Sequence, residues 1–218
     1  MEKIKANPQW ERYEEEIHTL IDKYNNKTLY WGNATYIGDA PQKVQDTQTP
    51  KPIAKALVEI LNRTNNNLYI SAAYLVPGKE GMKIFETLLA SGIEVQILTN
   101  SLASTDSLVV YGAWERYRNA LVKGGAQVYE YQYLGKGKSK LRDKISKSKA
   151  SLHSKSIVFD DTITWIGSFN LDPRSIYLNT ESVVIFDNPQ FAKALKADLI
   201  EDMEDAWKVY ENHGKTYW

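Results

Sequence analysis

The hydrophobic positions change period along the chain. Residues 8–25 place Ile17, Leu20, Ile21 and Tyr24 at helical spacing with acids between them, which predicts an amphipathic helix. The next stretch, NNKTLYWGNATYIGDAPQKVQDTQTPK, is rich in Gly, Asn, Pro and Thr and predicts loop with one strand at 29–31. From Pro52 the pattern tightens. The run IAKALVEILNRT predicts a helix, NLYISAAYL a buried strand broken by Pro77-Gly78, and GMKIFETLLASG a helix stopped at Gly92. A strand IEVQILT, a long helix SLVVYGAWERYRNALVKGG and a strand AQVYEYQ follow. This alternation predicts an α/β fold: a mixed, largely parallel sheet with helices on both faces. Further on, SLHSKSIVFD and TITWIGS read as strands joined at an Asp160-Asp161 turn. After the irregular FNLDPRSIYLN come a strand TESVVIFD and a closing helix over 188–212, with Trp207 and Tyr210 on it as packing residues. Two regions are expected: an N-terminal helix and connecting segment at 1–50, and one lobe at 51–218.

Composition narrows the classes. The chain has 218 residues with 27 basic and 27 acidic side chains, so any attraction for anions must be local. Cysteine is absent, which excludes disulfides, thiol catalysis and cysteine-ligated zinc. No apolar run approaches a membrane span, and the N-terminus lacks a signal-peptide core. Residues 134–149, LGKGKSKLRDKISKSK, carry seven Lys or Arg without helical period. That segment is either a solvated charge run or a rim that collects anions.

Candidate chemistry concentrates at 150–182. Alternation along a strand puts His153, Lys155, Ile157 and Phe159 on one face and Asp160 on the other. A neutral imidazole can attack or accept a proton, and a lysine on the same face can pair with negative oxygens. Such a pair suits a phosphate ester, although His and Lys on one strand also occur as plain polar surface. Ser168 and Asn170 follow in a GSFN turn and can donate to non-bridging phosphate oxygens. Glu181 opens the next strand, and a carboxylate can orient a catalytic imidazole. Arg174 either contacts phosphate or pairs with an acid. In TNSLASTD, 99–106, backbone N–H groups either meet an anion or are capped by Asp106 or Ser107. His18 and His213 read as surface residues.

The set His153-x-Lys155-x4-Asp160, then Gly167-Ser168-x-Asn170, then Glu181 resembles the signature of the phospholipase D superfamily. The segments ISAAYLVPGKEGMKIFETLLASGIEVQILTNSLASTD and GSFNLDPRSIYLNTE are similar to the second half of bacterial cardiolipin synthases of the C type. YWGNATYIGDAPQK resembles the segment that joins the two halves in those proteins. The resemblance implies that His153 attacks phosphorus to form a phosphohistidine. It implies that Lys155, Ser168 and Asn170 hold the phosphate oxygens and that Glu181 orients His153. Asp160 belongs to the signature, but on alternation its part is structural at the turn. No metal or other cofactor is implied.

A second histidine, from a second copy of the motif, is implied to protonate the leaving alkoxide, and this chain carries one copy. The second copy would come from a homodimer partner or from an N-terminal half absent from this sequence. The expected function is a cardiolipin synthase-like phosphatidyltransferase acting on phospholipid, either cytoplasmic or peripheral on a bacterial inner membrane. The alternatives are a homodimeric single-motif nuclease, with nucleic acid the less favoured substrate, and a catalytically incomplete binding domain.

Overall fold

A computed structural model describes residues 14–15, 17–19, 21–22, 28–45, 51–132, 151–212 and 215–217. The basic stretch 134–149 and His213 lie outside them. Two compact units are present, Met1–Trp31 and Gly32–Trp218. In the first, the described residues between 14 and 22 are helical, and His18 is exposed there.

The second unit is built on an eight-stranded sheet. Its strands are β1 (Asn33–Gly38), β2 (Asn67–Ala72), β3 (Glu94–Asn100), β4 (Gln127–Tyr131), β5 (Lys155–Phe159), β6 (Ile163–Gly167), β7 (Ser182–Asp187) and β8 (Trp207–Lys208). They lie in the order β1-β7-β6-β5-β2-β3-β4-β8. A two-stranded ribbon, β9 (Tyr210–Asn212) with β10 (Lys215–Tyr217), follows. The α/β class and mixed sheet are those expected from the pattern. Among the strands of this sheet, β2–β3 and β3–β4 pair parallel and the other pairs are antiparallel. The reason lies in the connections. Crossover helices α2 (Gly78–Ala90) and α3 (Leu108–Lys123) return the chain in the same direction, whereas the tight link after β5 reverses it.

The helices divide between two faces. Helices α1 (Pro52–Leu61), α2 and α3 cover one face through Ile53, Leu57, Phe85 and Trp114 against Leu68, Ile70, Ile97 and Ile157. Helix α5 (Pro189–Glu204) covers the other with Ala192, Leu199 and Met203 against Tyr69, Leu98 and Val158. A short helix α4 (Pro173–Tyr177) lies between β6 and β7. Beneath α3, the fully buried Glu130 accepts from Trp114 Nε1 at 2.9 Å and pairs with Arg118 at 3.0 Å.

Several local expectations change. The compact body begins at Gly32 rather than near Pro52, because the first strand forms at 33–38, not 29–31, and pairs residue by residue with β7. The last helix stops at Glu204 instead of running to 212. Trp207 then pairs with Glu130 at the sheet edge and Tyr210 enters the ribbon. Neither is a core residue: Trp207 is 37% exposed and Tyr210 58%. The β-forming run Trp-Lys-Val-Tyr gains more from edge pairing than from another helical turn, and Val209 is the residue it buries. Asp160 and Asp161 sit at φ +50° and +56°, the left-handed geometry of a tight turn. The Asp160 carboxylate accepts from the backbone N–H of Asn65 at 2.9 Å, Asn66 at 2.7 Å and Asn67 at 3.0 Å. It thereby ties the β5–β6 turn to the start of β2.

Candidate active site

One end of the sheet collects the chemistry. Parallel strands β2 and β3 finish there, antiparallel β5 and β7 begin there, and β6 ends there. Register places Lys155 opposite Ala72 and Gly167 opposite Val183, so Lys155, Ser168 and Glu181 all lie at this edge. Such an edge, outside the carboxyl ends of parallel strands, is where open α/β sheets commonly form sites.

His153 precedes β5 instead of lying within it, and it is exposed. Its backbone is held on both sides. Asn100, 3% exposed at the end of β3, accepts from Leu152 N at 2.9 Å and donates to Leu152 O at 2.9 Å and Ala73 O at 3.0 Å. Ala73 N donates to Ser154 O at 2.9 Å. Asn100 is thus a positioning residue that the sequence did not single out, since one Asn after a strand reads as ordinary turn chemistry. The rest of 99–106 is mostly structural: Ser104 Oγ donates to Asn100 at 2.9 Å, and Ser107 caps α3 by accepting from Val110 N at 3.4 Å.

Glu181 is the hub. It is 8% exposed, and one carboxylate oxygen accepts from Ser168 Oγ. The other accepts from Ser175 Oγ at 2.9 Å and Asn179 Nδ2 at 3.1 Å. Behind it, Asp39 N donates to Glu181 O at 2.9 Å and Glu181 N donates to the Asp39 carboxylate at 3.3 Å. Lys43 forms an ion pair with the same carboxylate, both side chains essentially without exposure, and donates to Ser175 O at 2.7 Å. Asp39 and Lys43 come from the segment after β1, more than a hundred residues away in sequence; they lie in the YWGNATYIGDAPQK stretch, but nothing local in it assigns them to Glu181.

The glycine before Ser168 is required by space. A Cβ at Gly167 would lie 2.2 Å from Ser182 O and 2.7 Å from Val183 Cα, both backbone atoms. Gly167→Ala is therefore expected to cost about 3 kcal/mol, because β6 and β7 must separate where Ser168 meets Glu181. A urea-denaturation midpoint unchanged from the parent would contradict this.

Lys155 is half-buried, and its Nζ donates to His153 O at 2.8 Å. Burial lowers its amine below the usual lysine value, while Glu181, Asp106 and Asp172 pull the other way. Close by, Tyr74 OH donates to Asp106 at 2.7 Å, and burial with that bond pushes the phenol up to about 12. Arg174 Nε donates to Asn179 Oδ1 at 3.1 Å, and its charge acts on both Tyr74 and Asp172. Asn170 is buried with its side-chain Oδ1 unpaired among the described residues, and its backbone N donates to Ser175 Oγ at 3.2 Å. Among the described residues no group of three or more His, Asp or Glu is placed to hold a metal ion.

Asp172 caps α4 by accepting from Ser175 N at 2.7 Å, and burial raises its carboxyl above the ordinary value. A raised folded-state value means the fold favours the protonated form. Stability from this group is therefore present below the unfolded carboxylate range and lost as pH rises through the raised value. Asp172→Asn keeps a capping side chain. It should flatten that fall when denaturation midpoints are compared across acidic to neutral pH, and an unchanged slope would rule the reading out.

The structure thus brings Lys155, Ser168, Asn170, Arg174 and Glu181 to one edge, with His153 at its margin and Asp160 at the far end of β5. Among the described residues the Glu181 carboxylate accepts from Ser168, Ser175 and Asn179 and not from His153.

Comparison with known proteins places these features in context. A family profile described as "Cardiolipin synthase, PLD-like domain" matches residues 57–203. An uncharacterised protein of Helicobacter pylori is 44% identical over 211 residues, covering 95% of this chain and 41% of that protein. Cardiolipin synthase C of Escherichia coli is 30% identical over 207 residues, covering 93% of this chain and 43% of that protein. The chain therefore spans about two-fifths of the length of these curated relatives. Among solved structures, Nuc from Salmonella typhimurium, a phospholipase D family member, superposes with a TM-score of 0.58 at 16% identity. That match covers 82% of this chain and all of that one, and it speaks to the fold.

Proposed function

The chain belongs to the phospholipase D-like domain family, and on that premise we propose that it is one lobe of a phosphatidyltransferase of cardiolipin synthase type. His153 attacks the phosphorus of a phosphodiester, the leaving alkoxide departs, and a phosphohistidine remains for an acceptor alcohol or water to attack. Lys155, Asn170 and Arg174 hold the phosphate oxygens, joined by Ser168 once its hydroxyl turns from Glu181 to the substrate, and Asp160 fixes the turn beyond β5. Glu181 orients His153 once substrate tightens the site, since catalytic hydrogen bonds are often formed only in the complex. The second histidine, which protonates the leaving group, comes from a partner copy or from the remaining three-fifths of a relative-sized protein.

The observation that carries this reading is the half-buried Lys155 at the edge where Ser168, Asn170 and the Glu181 network meet. A cation partly withdrawn from water, beside short donors, recognises a phosphodiester oxyanion more strongly than an exposed lysine does. The relative named cardiolipin synthase C points to a phospholipid as the ester. No helix among the described residues is long and apolar enough to cross a membrane.

A second reading, a nuclease built from two copies of this chain, is favoured by the basic stretch 134–149. The test is incubation with labelled phosphatidylglycerol in vesicles and, separately, with labelled single-stranded DNA. Label appearing in cardiolipin or phosphatidic acid supports the first reading. Cleavage of DNA alone, weakening steeply with salt, overturns it in favour of the second.

A further inference from the structure

The face of the sheet that carries Lys155 continues into an apolar cavity. Ile157 lies two residues further along β5 on that face and pairs with Ile70 of β2, as Lys155 pairs with Ala72. Below this floor a cavity of about 210 Å³ lies between α1, α2 and the 169–177 segment. Leu57, Phe85, Phe169 and Ile176 line it alongside Ile70 and Ile157. Its one charged lining residue, Glu80, points outward, with its side chain 83% exposed and paired with Lys83 at 2.9 Å. The same segment that builds the candidate site builds this cavity: between Ser168 and Glu181, polar residues serve the site while Phe169, Leu171, Ile176 and Tyr177 serve the cavity.

The mouth differs from the interior. Val58 and Tyr177 line the cavity and are 40% and 55% exposed. Lys51 Nζ stands 5.5 Å from the Tyr177 ring centre. On the outer side of α4, Arg174 and Leu178 share a shallow depression with Pro173 and Tyr177, and Leu178 is 59% exposed. An apolar interior with an aromatic lip and two cations beside it is complementary to an amphiphile with an anionic head and an aliphatic tail. For scale, an apolar cavity of about 150 Å³ lined by Leu, Ile and Phe takes up benzene, so this one has room for a short run of a single hydrocarbon chain.

We propose that this cavity receives one acyl chain of a phospholipid whose head group lies at the Arg174 and Lys51 rim. The inference rests on the phospholipid reading above and extends it to a tail site. It supplies a discrimination between lipid and nucleic acid that the phosphate-binding residues alone cannot make, since both substrates present the same phosphodiester.

The test is calorimetric titration of the chain with butyl, hexyl, octyl and decyl phosphate below micelle formation, with inorganic phosphate as competitor. The Kd is expected to fall about fourfold per added methylene until the cavity is filled, and then level off. Val58→Trp and Ile176→Trp, which plug the mouth and the inner wall, should remove the length dependence and leave the binding of inorganic phosphate, which has no tail, unchanged. Two positions are used so that misfolding of one variant, seen by circular dichroism, leaves the other to decide. Equal affinity for all four ligands, or a length dependence that persists in a folded plugged variant, would overturn the tail site. Inorganic phosphate that still bound in that case would leave the phosphate site standing. A length dependence without competition from inorganic phosphate would keep the tail site and remove the phosphate reading.

Discussion

Lys43→Met is expected to lower the unfolding free energy by about 3–5 kcal/mol, although Lys43 touches none of the residues proposed to meet substrate. Its ammonium and the Asp39 carboxylate are both withdrawn from water, with side-chain exposures of 1% and 0%. Removing the cation leaves a buried carboxylate whose other oxygen already lacks a partner among the described residues. The loss should reach the site, because Asp39 holds the Glu181 backbone from both sides and Lys43 also holds Ser175 O. The check is a urea-denaturation midpoint together with phosphate affinity, and both should fall. The double variant Asp39→Asn/Lys43→Met removes the stranded charge and should recover much of the stability, since an isosteric neutral pair avoids the desolvation of two ions. A single variant within about 0.5 kcal/mol of the parent, the range of ordinary surface changes, would show that this pair does not support the site.

His153→Ala is expected to abolish turnover, by at least about a thousandfold, while leaving stability nearly unchanged. The imidazole is exposed and the segment around it is fixed through backbone atoms and Asn100, so little packing is lost. The covalent step is tested more directly by quenching with labelled substrate: the parent should carry acid-labile phosphate on the chain, and the variant none. Turnover depends on a second histidine, so light scattering should accompany the assay. A dimer near twice 24.9 kDa could complete the site from a second copy of this chain. A monomer could still form the phosphohistidine, slowly, without a general acid for the leaving group. Retained label in the alanine variant would remove His153 from the mechanism altogether.

The sequence by itself determined the order of the longer elements from Pro52 to β7, because each long helix shows its 3.6-residue stripe and each strand its apolar run, with Gly or Pro at the joints; residues 173–177, read as irregular, form a helix too short to show a period. It also determined the residue types of the site, since His153-x-Lys155, Gly167-Ser168-x-Asn170 and Glu181 lie close enough in the chain to be read as one pattern. Only the tertiary structure decided what surrounds them. Asp39, Lys43 and Asn100 come from distant segments and support Glu181 and Leu152 through bonds that span 52 to 142 residues, and no local period encodes such separations. The end of the last helix was decided in the same way. Helical propensity favours continuing past 204, but the open edge of β4 accepts residues 207–208 and the ribbon takes residues 210–212. Gly167 lies between the two cases: the signature names it, and the approach of the Ser182 carbonyl, created by pairing β6 with β7, gives the physical reason that no side chain fits.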